Sequence, residues 1–393
     1  MILLAIETSC DETAVSIVKR ARGNNVRFEV LSHKVLSQTD LHTQYGGVFP
    51  MLAKREHSKA LTQLIAEALE EAGLLVERTN TYHISLTERK KLENLLEREP
   101  DMLKAMMILF EGIQKPAIDA IAVTEGPGLP PALWVGINGA LALSLLWDIP
   151  LYPINHMEGH IIASTLVHKD GVYEIPELTY PAVALLISGG HTELVKIAKL
   201  RSYKVIGKTR DDAVGEAFDK TARMLSLPYP GGPEISILAE RARNEGIIVD
   251  EDLRLPRPMI HSRDLAFSFS GIKTAVLTRV TKRNPVNDKT KKMLALEFEN
   301  AVTDVLVAKV KQAVYESRAH VLVVGGGVSA NNHIRHALQE LADNDGFTLF
   351  VPDKKLSTDN GLMIAATGLL HIKEHVPPRN KLHANGSWSV EDC

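Results

Sequence analysis

The chain has 393 residues, 45% hydrophobic and 24% charged, with a formal net charge of -3. This is globular composition, long enough for two hydrophobic cores. The near-neutral charge excludes a global attraction for nucleic acid, so any such contact must use a local patch or a partner. Its two cysteines, Cys10 and Cys393, exclude a disulfide framework and fit a reducing cytosol. Residues 1–6 run straight into Glu7 without a basic leader or a small-residue cleavage site. No apolar run approaches the roughly 20 residues of a membrane span. The expectation is a cytoplasmic protein with no membrane partner.

Residues 2–6 predict a short buried strand, and the polar turn Glu7-Thr8-Ser9-Cys10-Asp11-Glu12-Thr13 leads to a returning strand over 14–18. This is either a plain hairpin with an acidic tip or a hairpin that resembles the phosphate-facing one of the actin, Hsp70 and sugar-kinase superfamily. Residues 26–35 predict a third strand. Pro50 begins a helix to about Ala72, whose Leu61, Leu64, Ile65, Ala68 and Leu69 recur with helical period. Residues 77–114 are charge-dense, with leucines at helical spacing and an apolar patch at 102–110. They predict an inserted helical hairpin, either a surface decoration or a contact for a partner or RNA.

A strand over 117–124, the rigid turn Gly126-Pro127-Gly128-Leu129-Pro130-Pro131, an apolar helix over 132–147 and a strand over 151–154 form an α/β run. Then comes Asn155-His156-Met157-Glu158-Gly159-His160. Asn155 can cap a helix here, and His156 and His160 then share one face, within reach of one metal ion. The pair alone leaves two readings, a metal site or two solvated or capping histidines.

Strands over 183–187 and 193–197 flank Ser188-Gly189-Gly190-His191-Thr192 and repeat the opening pattern, so two duplicated domains are expected. Asp212 is a candidate N-cap for the helix that carries Asp219. Further helices are predicted from Glu234, from Ile272 and over 294–316. The strand at 321–324 enters Gly325-Gly326-Gly327, a place for tight packing or for a close-approaching nucleotide. A final strand over 347–351 and a helix over 362–371, capped by the segment 357–361, precede a polar, loose tail from Val376.

Nine stretches, in order, resemble the bacterial branch of the TsaD family of tRNA N6-threonylcarbamoyladenosine transferases. They are Ile6-Glu7-Thr8-Ser9-Cys10-Asp11-Glu12-Thr13, Gly126-Pro127-Gly128-Leu129, Asn155-His156-Met157-Glu158-Gly159-His160, Ser188-Gly189-Gly190-His191-Thr192 and Gly215-Glu216-Ala217-Phe218-Asp219-Lys220. The others are Tyr229-Pro230-Gly231-Gly232-Pro233, Phe267-Ser268-Phe269-Ser270-Gly271, Gly325-Gly326-Gly327-Val328-Ser329-Ala330-Asn331 and Thr358-Asp359-Asn360.

The resemblance implies an α/β fold of two duplicated RNase H-like domains with an active-site cleft between them. The expected domains are 1–155, carrying the insert at about 77–114, and 156–375, whose last helix can pack back on the first. A polar tail follows at 376–393. The resemblance also implies one divalent metal per subunit on His156, His160 and Asp359, iron(II) first and zinc second. Leu186, Ile187, Ser188, Gly189 and Gly190 would border the substrate, and Asp219, Gly232 and Asn331 would hold the ribose and adenine side of an adenylate. Asp11 and Glu12 are the candidate neighbourhood for a proton acceptor, against a role in organising the hairpin and its water.

The implied reaction transfers the threonylcarbamoyl group of L-threonylcarbamoyl-AMP to N6 of adenosine-37 in tRNAs reading ANN codons. The implied partners are tRNA, a TsaB-type paralogue and a TsaE-type ATPase. Two departures stand out, the insert and Glu125, where the family pattern has a basic residue. Three competing readings are a small-molecule kinase or ATPase of the same superfamily, a metalloprotease and a non-catalytic scaffold. The zincin motif needs its base Glu directly after the first His, and Glu158 stands two after it.

Overall fold

The computed structural model describes residues 1–23, 25–80, 82–283, 285–372 and 381–393. The chain forms two compact units, one made of Met1–Asp40, Val48–Pro176 and Asp359–Asp392, the other chiefly of Leu41–Gly47 and Glu177–Thr358.

The first unit is built on β1 (Ile2–Glu7), β2 (Glu12–Arg20) and β3 (Arg27–Ser37). After a single turn, α1 (Thr39–Thr43), whose residues from Leu41 on belong to the second unit, come α2 (Pro50–Glu71), α3 (Leu86–Leu95) and α4 (Pro100–Gly112). Next come β4 (Ala120–Gly126), α5 (Pro130–Trp147), β5 (Leu151–Asn155), α6 (His156–Thr165), β6 (Val167–Lys169) and β7 (Val172–Glu174). The sheet order is β5-β4-β1-β2-β3-β7-β6. Leu4, Ile6, Val15, Ile17, Ile121 and Val123 share a core with residues of α2, α4 and α5. Alternation along β1 and β4 turns Leu3 and Ala122 to the opposite face. A sheet covered on both faces needs the near-continuous apolar strands this sequence has.

The second unit contains β8 (Ala182–Ile187), β9 (Thr192–Lys199), β10 (Ser202–Lys208), α7 (Val214–Met224), α8 (Gly231–Asn244) and α9 (Ser270–Lys282). It continues with α10 (Asp288–Ser317), β11 (Val321–Gly325), α11 (Asn332–Asp345) and β12 (Thr348–Phe350). Its sheet order is β10-β9-β8-β11-β12. In both units the first strand pairs antiparallel with the second and the second with the third. In both, the first strand also pairs parallel with the fourth, and the fourth with the fifth. The duplication expected from the two hairpins is therefore present in strand order and sense. The α/β class is as expected.

After the second unit the chain returns as α12 (Gly361–His371), which lies in the first unit and packs on β1 and β2. The expected boundary at 155/156 differs from the division seen here, where residues 156–176 stay with the first unit. The reason is local: α6 packs against α12, and β7 pairs with β3. The insert is more than decoration, because Met102, Met106, Leu109 and Phe110 of α4 enter the first core. Phe110 meets Trp147 edge-on at 5.6 Å. Helix α5 is long and apolar enough to cross a membrane by length and composition, contrary to expectation, but it is mostly buried in that core. The tail also departs from expectation. Residues 376–380 lie outside the described residues, whereas Leu382 and Val390 are buried, Leu382 within the first core.

Candidate functional site

In the first unit, Asn155 ends β5 and caps α6, its Oδ1 accepting from Met157 N (2.9 Å) and Glu158 N (3.1 Å). Such a cap contributes about 1 kcal/mol. It sets the start of a ten-residue helix on which His156 and His160 are stacked. Their rings are edge to face with centroids 4.7 Å apart. Asn360 caps α12 in the same manner through Met363 N (3.0 Å), which leaves Asp359 at the helix entrance. Asp359 Oδ1 lies 3.4 Å from His156 Nε2 and 3.1 Å from His160 Nε2. One donor atom from each of the three lies within 4.8 Å of the others.

Two residues unmarked by the sequence reading complete this site. Glu7 Oε2 and Ser9 Oγ each lie 3.1 Å from His156 Nδ1. The Glu7 carboxylate is itself fixed by Thr124 Oγ1 and by Ser9 N, both at 2.5 Å. An Nδ1–H directed at Glu7 leaves Nε2 as the free lone pair, the arrangement of a metal-ligating histidine. Burial would lower the His156 pKa, but the Asp359 and Glu7 carboxylates together raise it well above the ordinary value. Burial also opposes the Asp359 carboxylate, and the two imidazoles overcome this and hold it below its usual range. The buried Glu7 carboxylate and the half-buried Asp359 carboxylate thus call for positive charge between them, which a proton on His156 or a cation on the triad supplies. The donor set, two imidazoles and one carboxylate, fits a divalent transition metal with positions left open.

Asp11 and Glu12 stand beside this group. Burial, reinforced by Asp359 and Asp11, pushes Glu12 up to about 10. Burial likewise pushes the Cys10 thiol well up, with Asp11 and Asp359 adding to it. With no cation on the triad, Glu12 is a protonated acid at neutral pH. Glu158, between the histidines, is buried and its Oε2 accepts from His371 Nε2 at 2.8 Å. That pairing adds a structural reason to set the protease reading aside.

The second unit holds a cavity of about 570 Å³, lined by Gly189, Asp219, Gly232, Arg243, Glu299 and Asn331 among others. Four of the expected substrate residues therefore meet there. Leu186 and Ile187 do not line it, because both are fully buried in β8. Ser188 Oγ accepts from Gly190 N (3.3 Å) and His191 N (3.1 Å) and so shapes the hairpin. Gly326 has φ +90°, and a Cβ there would lie 2.5 Å from Ile187 O. Gly326 therefore serves close approach of β11 to β8, whereas Gly327 has open space around it and lines the cavity.

Asp219 Oδ1 accepts from Gly231 N at 2.7 Å, which ties α7 to the start of α8. Asn331 caps α11 through Ile334 N (3.0 Å), while its Nδ2 donates to Ser236 Oγ (2.6 Å) and Glu299 Oε1 (2.7 Å). Glu299 is buried and also accepts from Arg243 Nη1 at 2.6 Å. The run Leu296-Glu297-Phe298-Glu299 held the available signal, acids on the buried face of a long helix. Asp212 is not a cap. The N-cap of α7 is Ala213, Val214 N donates to Thr192 Oγ1 (2.8 Å), and Asp212 pairs with Lys220 (2.8 Å) and Lys273 (3.0 Å).

A family model described as TsaD, tRNA N6-adenosine threonylcarbamoyltransferase, matches residues 29–88 and 92–366. The chain is 42% identical over 378 residues to a tRNA N6-adenosine threonylcarbamoyltransferase of Burkholderia thailandensis, covering 95% of this chain and 92% of that relative. It is 40% identical over 375 residues to the enzyme of the same description in Paraburkholderia xenovorans, covering 95% and 93%. Similar solved structures include a ROK hexokinase from Thermus thermophilus (TM-score 0.46, 13% identity, 95% of this chain and 100% of that chain). YeaZ from Pseudomonas aeruginosa is another (TM-score 0.26, 14% identity, 52% and 68%).

Proposed function

The chain belongs to the TsaD family of tRNA N6-adenosine threonylcarbamoyltransferases, and from that premise we propose its donor, its target base and its metal. The donor is L-threonylcarbamoyl-AMP and the acceptor is N6 of adenosine-37 in tRNAs reading ANN codons. The metal is a single divalent ion, iron(II) before zinc, on His156, His160 and Asp359. The observation that carries the metal reading is the convergence of those three donor atoms within 4.8 Å.

The reaction is acyl transfer. The N6 amine forms a bond to the carbamoyl carbon, the bond from that carbon to the phosphate oxygen breaks, AMP leaves with the electron pair, and N6 loses one proton. The leaving group is already good, so the protein's work is positioning and polarisation. His156, His160 and Asp359 would hold the divalent cation, which when bound would supply Lewis acidity. Glu7 holds the His156 ring with Nε2 available. The cavity of the second unit takes the nucleoside side of the donor, with Asp219, Gly232 and Asn331 at its wall. Positive charge bound at the triad would favour the carboxylate form of Glu12, and Glu12 is the proposed proton acceptor for N6. A Glu12→Ala enzyme is expected to lose about 10²–10⁴-fold in transfer, the range for a general base. Normal turnover on purified intermediate would remove Glu12 from the chemistry.

A TsaB-type paralogue and a TsaE-type ATPase are proposed as partners, and the cytoplasm as the compartment, on the resemblance and the cysteine usage. The deciding experiment is mass spectrometry of tRNA nucleosides after incubation with L-threonylcarbamoyl-AMP, with and without chelator. The modified adenosine is expected, and its yield should collapse on chelation. ATP hydrolysis that needs no tRNA, with no modified base formed, would instead favour the kinase reading.

A further inference from the structure

The polar C-terminal segment, expected to be loose, has a use for each of its turns in the first unit. Leu382, within the first core, and the buried Val390 anchor it. Between them the backbone is held at three places. His383 N donates to the Glu125 carboxylate (2.9 Å), and Asn385 N donates to the Glu125 carbonyl (2.9 Å). At Gly126, φ is +158° and a Cβ would lie 1.9 Å from Asn385 O, so the segment rests directly on the backbone that ends β4. Gly128 N donates to Gly386 O at 3.4 Å.

The third place is Asn155, whose amide has two jobs. Its Oδ1 caps α6, and its Nδ2 donates to the carbonyls of Trp388 (3.3 Å) and Ser389 (3.4 Å). One planar group therefore joins the tail to the first turn of the helix that carries His156 and His160. A helix of ten residues does not hold itself in water and depends on such tertiary ties.

We propose that residues 381–392 are a strap that positions α6, with Asn155 as the positioning residue through which it acts on the histidine pair. The strap touches neither imidazole. It fixes the cap, and the cap fixes where the two rings stand, as outer partners of metal ligands do. This inference rests on the metal reading given above.

The test uses the full chain, a chain ending at residue 380, and Asn155→Ser. Serine keeps an oxygen to cap α6 and lacks the amide donor to the strap. Cobalt(II) binding is followed by its ligand-field spectrum, and amide exchange is followed at Met157 and Glu158. Both altered chains are expected to bind cobalt(II) about 10–100-fold more weakly and to exchange those two amides faster. A synthetic peptide of residues 381–393 should restore the shortened chain and leave Asn155→Ser unrestored.

Unchanged affinity and exchange in Asn155→Ser would overturn the strap, even if the shortened chain fails to fold. A full chain that binds no cobalt(II) would sink the metal reading instead. In that event the exchange rates at Met157 and Glu158 still decide whether the strap holds the helix.

Discussion

The two units share one strand order, yet their first hairpins differ in kind. In the first, the turn is Glu7-Thr8-Ser9-Cys10-Asp11-Glu12, and Glu7, Thr8 and Ser9 are buried. In the second, Ser188-Gly189-Gly190-His191 places small residues and backbone amides at the corresponding bend, and Gly189 and Gly190 are exposed. The first hairpin therefore stores negative charge and orients an imidazole. The second presents backbone beside a cavity. Duplication supplied the scaffold twice, and a handful of side chains at the bend divided the chemistry, charge on one side and shape on the other. A buried charge must be paired, so the acidic hairpin drew in His156. A glycine hairpin makes no such demand and leaves room for a ligand.

The contrast can be broken most forcefully at the triad. His156→Ala or Asp359→Ala is expected to abolish metal retention and lower transfer by about 10²–10³-fold, the scale for one preorganised electrostatic contact. Metal analysis of the purified protein, together with tRNA nucleoside analysis, reads both. Full activity in metal-free His156→Ala would end the assignment.

Next in size is Glu299→Ala in the second unit. It leaves Arg243 and the Asn331 amide without a buried carboxylate partner, and about 3 kcal/mol of stability should be lost. Denaturant unfolding measures this, and metal retention by the folded fraction should be intact. Loss of metal would mean that the two chemistries are not divided as described.

Glu7→Gln should fold and weaken metal affinity by about 10–100-fold. Equal affinity would show that His156 needs no orienting carboxylate. The smallest effect is expected at Asp211. Burial opposes its ionisation, but the hydroxyls of Ser268 and Ser270 and the amides of Phe269 and Ser270 outweigh this and hold its carboxyl below the ordinary value. A depressed carboxyl stabilises the fold above its unfolded pKa of about 3.9 and loses that contribution as pH falls through the lower folded value. The stability gap between wild type and Asp211→Asn should therefore be constant above pH ~5 and close below pH ~4. A gap that persists in acid would assign the effect to packing.

Much of this was legible in the residues. An apolar strand entering a polar, acidic turn marked the first hairpin, and a glycine-bearing turn between two apolar strands marked the second. Asn155 before a histidine pair at i and i+4 marked a capped helix with one functional face. The third ligand was not legible from spacing, since Asp359 lies 199 residues beyond His160, and it entered through the resemblance. Glu7 passed unnoticed because an acid at the end of an apolar strand looks like the start of a turn. The tail misled for a related reason. Its polar composition signals solvation only where the polar groups face water, and here they satisfy Glu125, Gly128 and Asn155.

Local pattern by itself determined most of the elements, the duplication and the histidine face, because period, capping and turn chemistry act within a few residues; the short strands β6 and β7 and the edge strand β10 went unpredicted. Tertiary structure alone decided that Glu7 orients His156, that Asp359 stands at both rings, that Glu299 holds Asn331 and that the tail is a strap. Each of those is a partner for a buried polar group. Such a partner is chosen by where the fold brings two distant segments together, and no local signal records it.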